Sequence, residues 1–430
     1  MPRELTADEA VAELRPIDSL GLPLGPGQPI EFMHALGGRN DWEHLDVLCA
    51  MLVDFYVFPT LPGVRCRSTF FGPAERIYRD QGADISFIPA DYRRWAPIIA
   101  EQPPRVMGTM AAEPDADGWL SLSCHAGSTV DELHAAGQAG DRLLVVETSP
   151  HLPRTGGLGD AHPHRLHLDE IDILVRSDRH LVELVDPPAG EIETSIAASA
   201  ARFVHTSSTL QTGFGSIPSI VASNLAASDV EDLGVHSEMF TNGLMRLHQA
   251  GKVTNASKGI FEDISITTFA AGTSELYSWL DGRTDVAFVP VGVVNDPMTI
   301  AANRNMVTIN GAICVDLAGQ VVADSIGGRQ WSGIGGHEDF VSGGGLQRDD
   351  RSLICLPSVS HVAGSLVSRI TADLPPGSIV TTPRHQTDVV ITEHGVAELR
   401  GRTVAERAAA LAEIAHPAFR DELRVTAERR

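Results

Sequence analysis

Short apolar, β-branched runs alternate with helical patterns over most of the 430 residues, and this alternation constrains the fold more than any other feature. Parallel strands cannot be joined by a tight turn; they need a crossover, and a helix is the usual one. Strands are predicted at 142–147 (RLLVVE), 171–175 (IDILV), 286–291 (VAFVPV), 307–309, 313–317 (ICVDL), 353–356 (LICL), 378–380 and 389–391. Helices are predicted at 193–201, 219–225, 238–250, 274–280 and 404–415. The reading is an α/β protein with largely parallel, open twisted sheets. The Pro/Gly-rich stretch 184–191 (LVDPPAGE) reads as a linker between two tandem domains, 1–190 and 191–430, each of ordinary size.

Charge and cysteine content narrow the partners. A net charge of -23 repels phosphate backbones and anionic lipid, which argues against nucleic-acid and membrane-surface partners. No run approaches the roughly 18 apolar residues of a membrane helix. Cys49, Cys66, Cys124, Cys314 and Cys355 are widely spaced with no CxxC pair, so a reducing cytoplasmic setting is expected. His162, His164 and His167 crowd near Asp169, but they lack i, i+4 spacing and Pro163 intervenes; no metal is expected. Only Lys252 and Lys258 are lysines, the remaining 31 cations being arginines.

Four stretches carry candidate chemistry. In 209–218 (TLQTGFGSIP), Gly213 and Gly215 precede a helix and could bring backbone N–H groups to a phosphate; a plain tight turn is the commoner origin of such a pattern. The segment 292–297 (GVVNDP) follows a strand, at the edge where α/β proteins bind ligands, or is an Asx turn without a ligand. In 309–327 (INGAICVDLAGQVVADSIG), two strands flank Ala-Gly-Gln. Strand alternation puts Cys314 on the face of Ala312 and Asp316, opposite Ile313, Val315 and Leu317. That thiol either looks into a cleft or is simply buried. The glycines of 327–345, including Gly333, Gly335 and Gly336, read as a long connection. In 392–402 (TEHGVAELRGR), Gly395 offers an N–H to an anion or merely shapes a turn, and two helices follow, parted by His416-Pro417. There is no Gly-x-Ser-x-Gly elbow, and His337-Glu338 lacks the second histidine of HExxH.

Taken in order, STLQTGFGSIP, LGVHSEMFTNGL, VTNASKG, VNDPMTIAANRNMVTINGAICVDLAGQVVADSIGG, SGIGGHEDFVSGG and ITEHGVAELRGRTVAERAAALAEIAHPAFRDEL resemble the acetyl-CoA hydrolase/transferase family. The family includes 4-hydroxybutyrate and succinyl-CoA:acetate CoA-transferases. The resemblance implies two tandem α/β domains of the CoA-transferase type. It also implies a CoA thioester and a small carboxylate as substrates, with no permanently bound cofactor. A homodimer is expected on general grounds. The family mechanism uses a glutamate whose carboxylate attacks the acyl-CoA, giving a mixed anhydride and then an enzyme–CoA thioester. The resemblance places that glutamate before Val315-Asp316-Leu317 and assigns oxyanion or CoA contacts to Val291, Gly292, Val293, Val294, Asn295, Ile391 and Gly395. It also points to a kept lysine, Lys258, with no contact assigned.

Here Cys314 stands where the resemblance expects glutamate. A thiolate could form an acyl-cysteine and release CoA, but it cannot form a thioester with the sulfur of CoA. Cys314 therefore implies either an altered transferase, or a thioesterase or acyltransferase served by His337 or His394, or a CoA-binding protein without catalysis. Thiol catalysis would require a lowered pKa or a neighbouring base.

Overall fold

The computed structural model describes residues 1–430, which divide into two compact units: 1–184 with 266–294, and 185–265 with 295–430. A division into 1–190 and 191–430 misses the return of 266–294 to the first unit. That return is fixed by backbone bonds: the N–H groups of Ala126 and Gly127 donate to Thr268 O (2.7 and 3.0 Å), and Phe288 N donates to Gly156 O (2.9 Å).

The first unit is built on an eight-stranded sheet. Its spatial order is Arg3–Leu5, Ile173–Arg176, Leu143–Ser149, Val106–Ala112, Ile17–Leu24, His44–Ala50, Val64–Ser68 and Ile85–Phe87. Every neighbouring pair is parallel. The central strands are buried on both faces, with all seven residues of Val106–Ala112 inside, as a parallel sheet covered by helices requires. This unit also holds a mainly apolar cavity of about 310 Å³ lined by Met51, Leu52, Val53, Phe55, Met110 and Ala271, among others. Its lining contains no cysteine, serine or lysine.

The second unit carries a six-stranded sheet, in the order Gly234–Val235, Thr209–Thr212, Met306–Gly311, Arg351–Cys355, Val389–Thr392 and Gly395–Glu398. All pairs are parallel except the last, a hairpin turning at Glu393-His394. A smaller three-stranded sheet places Cys314–Asp316 between Val321–Val322 and Ile370–Thr371. The helix Val404–Glu413 starts at a capping box in which Thr403 and Glu406 satisfy each other's backbone N–H. The next helix, Pro417–Ala427, starts with proline at its first position, where the lost N–H costs nothing.

Three expected elements differ. The segment 378–380 is not a strand. The glycine-rich stretch 327–345 is no bare connection: it holds part of a small hairpin (Ser325–Ile326 with Arg329–Gln330) and the helix His337–Gly343. That helix packs on Pro297–Ala301 because Gly343 lets Ile300 in; a Cβ at 343 would sit 2.6 Å from Ile300 Cβ. The third difference is the helix expected at 238–250, which begins only at Asn242. It frees Glu238 from a helix surface. No helix is long and apolar enough to cross a membrane.

Candidate active site

Ligands of open α/β sheets bind beyond the carboxyl ends of the strands. In the second unit this edge gathers several of the residues singled out above. The strand Gly234–Val235 leads through His236 and Ser237 to Glu238. Ser237 fastens this turn by donating its hydroxyl to Thr212 O (3.2 Å) and Met239 O (2.8 Å). Thr212 is the last residue of the neighbouring strand. Glu238 lies deep in the unit yet keeps part of its surface in contact with solvent.

Asn295 and Gly336 converge on this carboxylate. Asn295 Nδ2 donates to Glu238 Oε2 (2.5 Å) and to Asp339 Oδ2 (3.0 Å), so one amide holds two carboxylates. The amide orientation follows from this network, since the reversed one would aim an oxygen at both. Gly336 donates its N–H to Glu238. It must be glycine: a Cβ there would lie 2.0 Å from Glu238 Oε2 and 2.6 Å from Asn295 Nδ2. Burial pushes the Glu238 carboxyl up to about 8, with Asp339 adding to the rise while Asn295 and the Gly336 N–H oppose it.

Cys314 sits in a different setting. It pairs with Val322 across an antiparallel ladder and is half-buried. Val315 and Leu317 point into the core as the alternation predicts. Asp316 is also buried, accepting from Ala318 N, Gln320 N and Gln320 Nε2 (2.9, 2.9 and 2.7 Å), so it closes the hairpin turn. Burial and then Asp316 raise the Cys314 thiol above its ordinary value, with Arg369 opposing. A thiol activated as a nucleophile needs the opposite shift.

Both histidines considered as its base have other partners. His337 Nε2 lies 2.8 Å from Thr382 Oγ1, whose own proton goes to Glu338. Thr382 must then accept from His337, which fixes Nε2 as the protonated nitrogen. Burial lowers His337 to about 4, with Asp324 partly offsetting. His394 Nε2 faces Glu393 at 3.5 Å.

Most of the expected backbone donors are already engaged. Residues Val291–Val294 form one helical turn rather than a loop. Val291 N donates to Gly127 O (2.9 Å), and Val293 N and Val294 N to Pro290 O (2.9 and 3.2 Å). Gly292 lies inside the same turn. Ile391 is fully buried and paired on both sides, to Cys355 and Val396. Gly395 opens the hairpin's second strand at φ 148, a conformation that favours glycine. Gly215, at φ 131, donates to Asp186 Oδ1 (3.2 Å) ahead of the helix Ser216–Ala226. Gly213 has open space where a side chain would be. Gly335 adopts φ 57, and Gly333 is buried one turn before Gly336. His164 is likewise engaged structurally, facing Ser123 O (2.8 Å) and Thr155 Oγ1 (3.0 Å).

Known proteins resemble the chain along its whole length. Residues 272–427 match the acetyl-CoA hydrolase/transferase C-terminal domain. The 4-hydroxybutyrate coenzyme A transferase of Clostridium kluyveri is 33% identical over 97% of this chain and 96% of its own. The succinyl-CoA:cyclohexane-1-carboxylate CoA transferase of Geobacter metallireducens is 33% identical over 98% of this chain and 94% of its own. Among solved structures, RipA from Yersinia pestis superposes with a TM-score of 0.90 at 29% identity, over 99% of this chain and 97% of that one. A 4-hydroxybutyrate CoA-transferase from Porphyromonas gingivalis gives 0.79 at 26% identity, over the same shares. The chain is an enzyme of the acetyl-CoA hydrolase/transferase family.

Proposed function

We propose that this enzyme transfers CoA between a short acyl-CoA and a carboxylic acid, and that Glu238 rather than Cys314 carries the transfer. The observation behind this reading is the Glu238 carboxylate: deep, partly solvent-reached, and held by Asn295 Nδ2 and the Gly336 N–H. The family resemblance calls for a glutamate nucleophile. The other glutamates in these loops are otherwise occupied: Glu338 takes the Thr382 proton, and Glu393 accepts from Ser358 N and Oγ (2.9 and 2.5 Å).

In this reading the ionised Glu238 attacks the thioester carbonyl, expelling CoA thiolate and leaving a glutamyl–acyl anhydride. The thiolate then attacks the glutamyl carbonyl, releasing the acyl group as a carboxylate and leaving a glutamyl–CoA thioester. A second carboxylate reverses both steps, so every bond broken is remade and no water is consumed. The raised carboxyl is a stronger nucleophile once ionised, at the cost of being mostly protonated at neutral pH.

The test is acceptor dependence. Acetyl-CoA or butyryl-CoA is supplied with and without acetate, butyrate or succinate, and the acyl-CoA products are separated. New acyl-CoA formed only with an acceptor acid supports transfer. Equal consumption without acceptor, with release of free thiol, would make the enzyme a hydrolase.

A further inference from the structure

Lys258 is one of two lysines in the chain and is 1% exposed, among the largest fully buried side chains. A buried ammonium usually sits against a carboxylate. Lys258 Nζ instead donates to two backbone carbonyls, Val235 O (2.9 Å) and Ile264 O (2.8 Å). Val235 ends the edge strand three residues before Glu238, and its own N–H is held by Asn255 Oδ1 (2.9 Å). The lysine thus grips the strand end from which the carboxylate hangs.

Two independent features show that this grip is built in. Gly234 lies flush against the lysine stem: a Cβ there would be 2.4 Å from Lys258 Cγ. The loop that carries Lys258 also stores backbone strain, with Asn255, Phe261 and Asp263 at φ 60, 50 and 65. Asn and Asp enter this region readily, but a bulky aromatic such as Phe261 holds it only where its surroundings impose it. Lys258 closes this loop by binding Ile264 O, while its own carbonyl accepts from Arg304 N (2.7 Å).

We propose that Lys258 is a positioning residue for the Glu238 carboxylate, clamping the end of strand Gly234–Val235 to the strained 255–264 loop so that the turn at 236–238 holds one conformation. The clamp does not depend on charge. Two carbonyl acceptors need two N–H donors, which a neutral amine supplies. Burial lowers the group to about 7, in keeping with that role.

The proposal rests on Glu238 as the nucleophile, and the test keeps the two apart. Wild type, Lys258→Met, Gly234→Ala and the double variant are assayed for CoA transfer, and each is incubated with acyl-CoA and examined by peptide mass mapping. Met keeps the stem and loses the donors; Ala at 234 displaces the stem and leaves the donors. Each single variant is expected to lower kcat at least tenfold with KM for acyl-CoA within twofold, and the double variant to be no slower than the slower single. If Lys258→Met does not fold, Gly234→Ala carries the kinetic test. A wild-type CoA adduct on Glu238 together with unchanged kcat in a folded variant overturns the positioning role alone. Loss confined to KM, or fully multiplicative effects, overturns it equally. Absence of any Glu238 adduct in an active wild-type enzyme removes the premise and the proposal with it.

Discussion

Glu238 and Cys314 occupy the same unit and both are half-buried, yet their surroundings differ in kind. Around Glu238, the Asn295 amide and the Gly336 N–H donate to the carboxylate, and Gly336 leaves room for it by having no side chain. Around Cys314 the neighbours are a β-ladder and a turn-closing aspartate, and both burial and Asp316 hold the thiol protonated. The proposed function therefore weighs the donors arranged around a residue above its place in a motif.

The largest effect that could break this contrast is removal of each group in turn. Glu238→Gln should lower transfer by about a thousand-fold or more, the scale on which loss of a nucleophile is felt. Cys314→Ser should stay within about threefold, because the replaced thiol is only half-buried and pairs through its backbone. Equal and large losses would erase the distinction.

Next in size is Gly336→Ala. The added methyl has to displace either Glu238 Oε2 or Asn295 Nδ2, and misplacement of a reacting group by about 1 Å costs about a hundred-fold. Steady-state kinetics on a variant with unchanged circular dichroism would measure it. Asn295→Ala should cost about tenfold at pH 7, because the donor that favours the ionised carboxylate is lost while Asp339 remains. Its pH profile is more telling than its rate. In the wild type, kcat/KM should rise with pH and level off above about 8, as Glu238 loses its proton. In Asn295→Ala the rise should move to higher pH, since loss of a donor to the anion raises its pKa further. A downward move would contradict the role given to Asn295.

The smallest expected signal is the thiol's own reactivity. Iodoacetamide should label Cys314 slowly at pH 7 and faster as pH increases, as for a thiol held above its ordinary value. Rapid labelling at pH 7 would return Cys314 to contention.

Much of the fold was legible in the chain. Parallel strands covered on both faces are continuous apolar runs, so 142–147 and 353–356 announced themselves, and the helix at 274–280 has the bounds the pattern gives. The edge strand Gly234–Val235 was not legible, since two residues bear no periodicity. Missing it let the following helix absorb Glu238, which then read as an ordinary helix residue. A signal was present: Thr241-Asn242 suits a helix start better than Glu238 does, and Thr241 indeed sits at the N-cap. Asn295 was assigned a contact by the family resemblance and Gly336 was picked out within a glycine-rich connection, and the structure brings both to Glu238. Val291, Val293 and Val294 were likewise assigned by the resemblance, but sequence does not reveal that a backbone N–H is already bonded.

The central claim, that the carboxylate and not the thiol takes up the substrate, is tested most directly by peptide mass mapping after brief incubation with acyl-CoA and acid quench. The account predicts a CoA thioester on the peptide containing Glu238, its mass increased by CoA less water, absent in Glu238→Gln and retained in Cys314→Ser. An acyl group on the Cys314 peptide, with Glu238 unmodified, would contradict it.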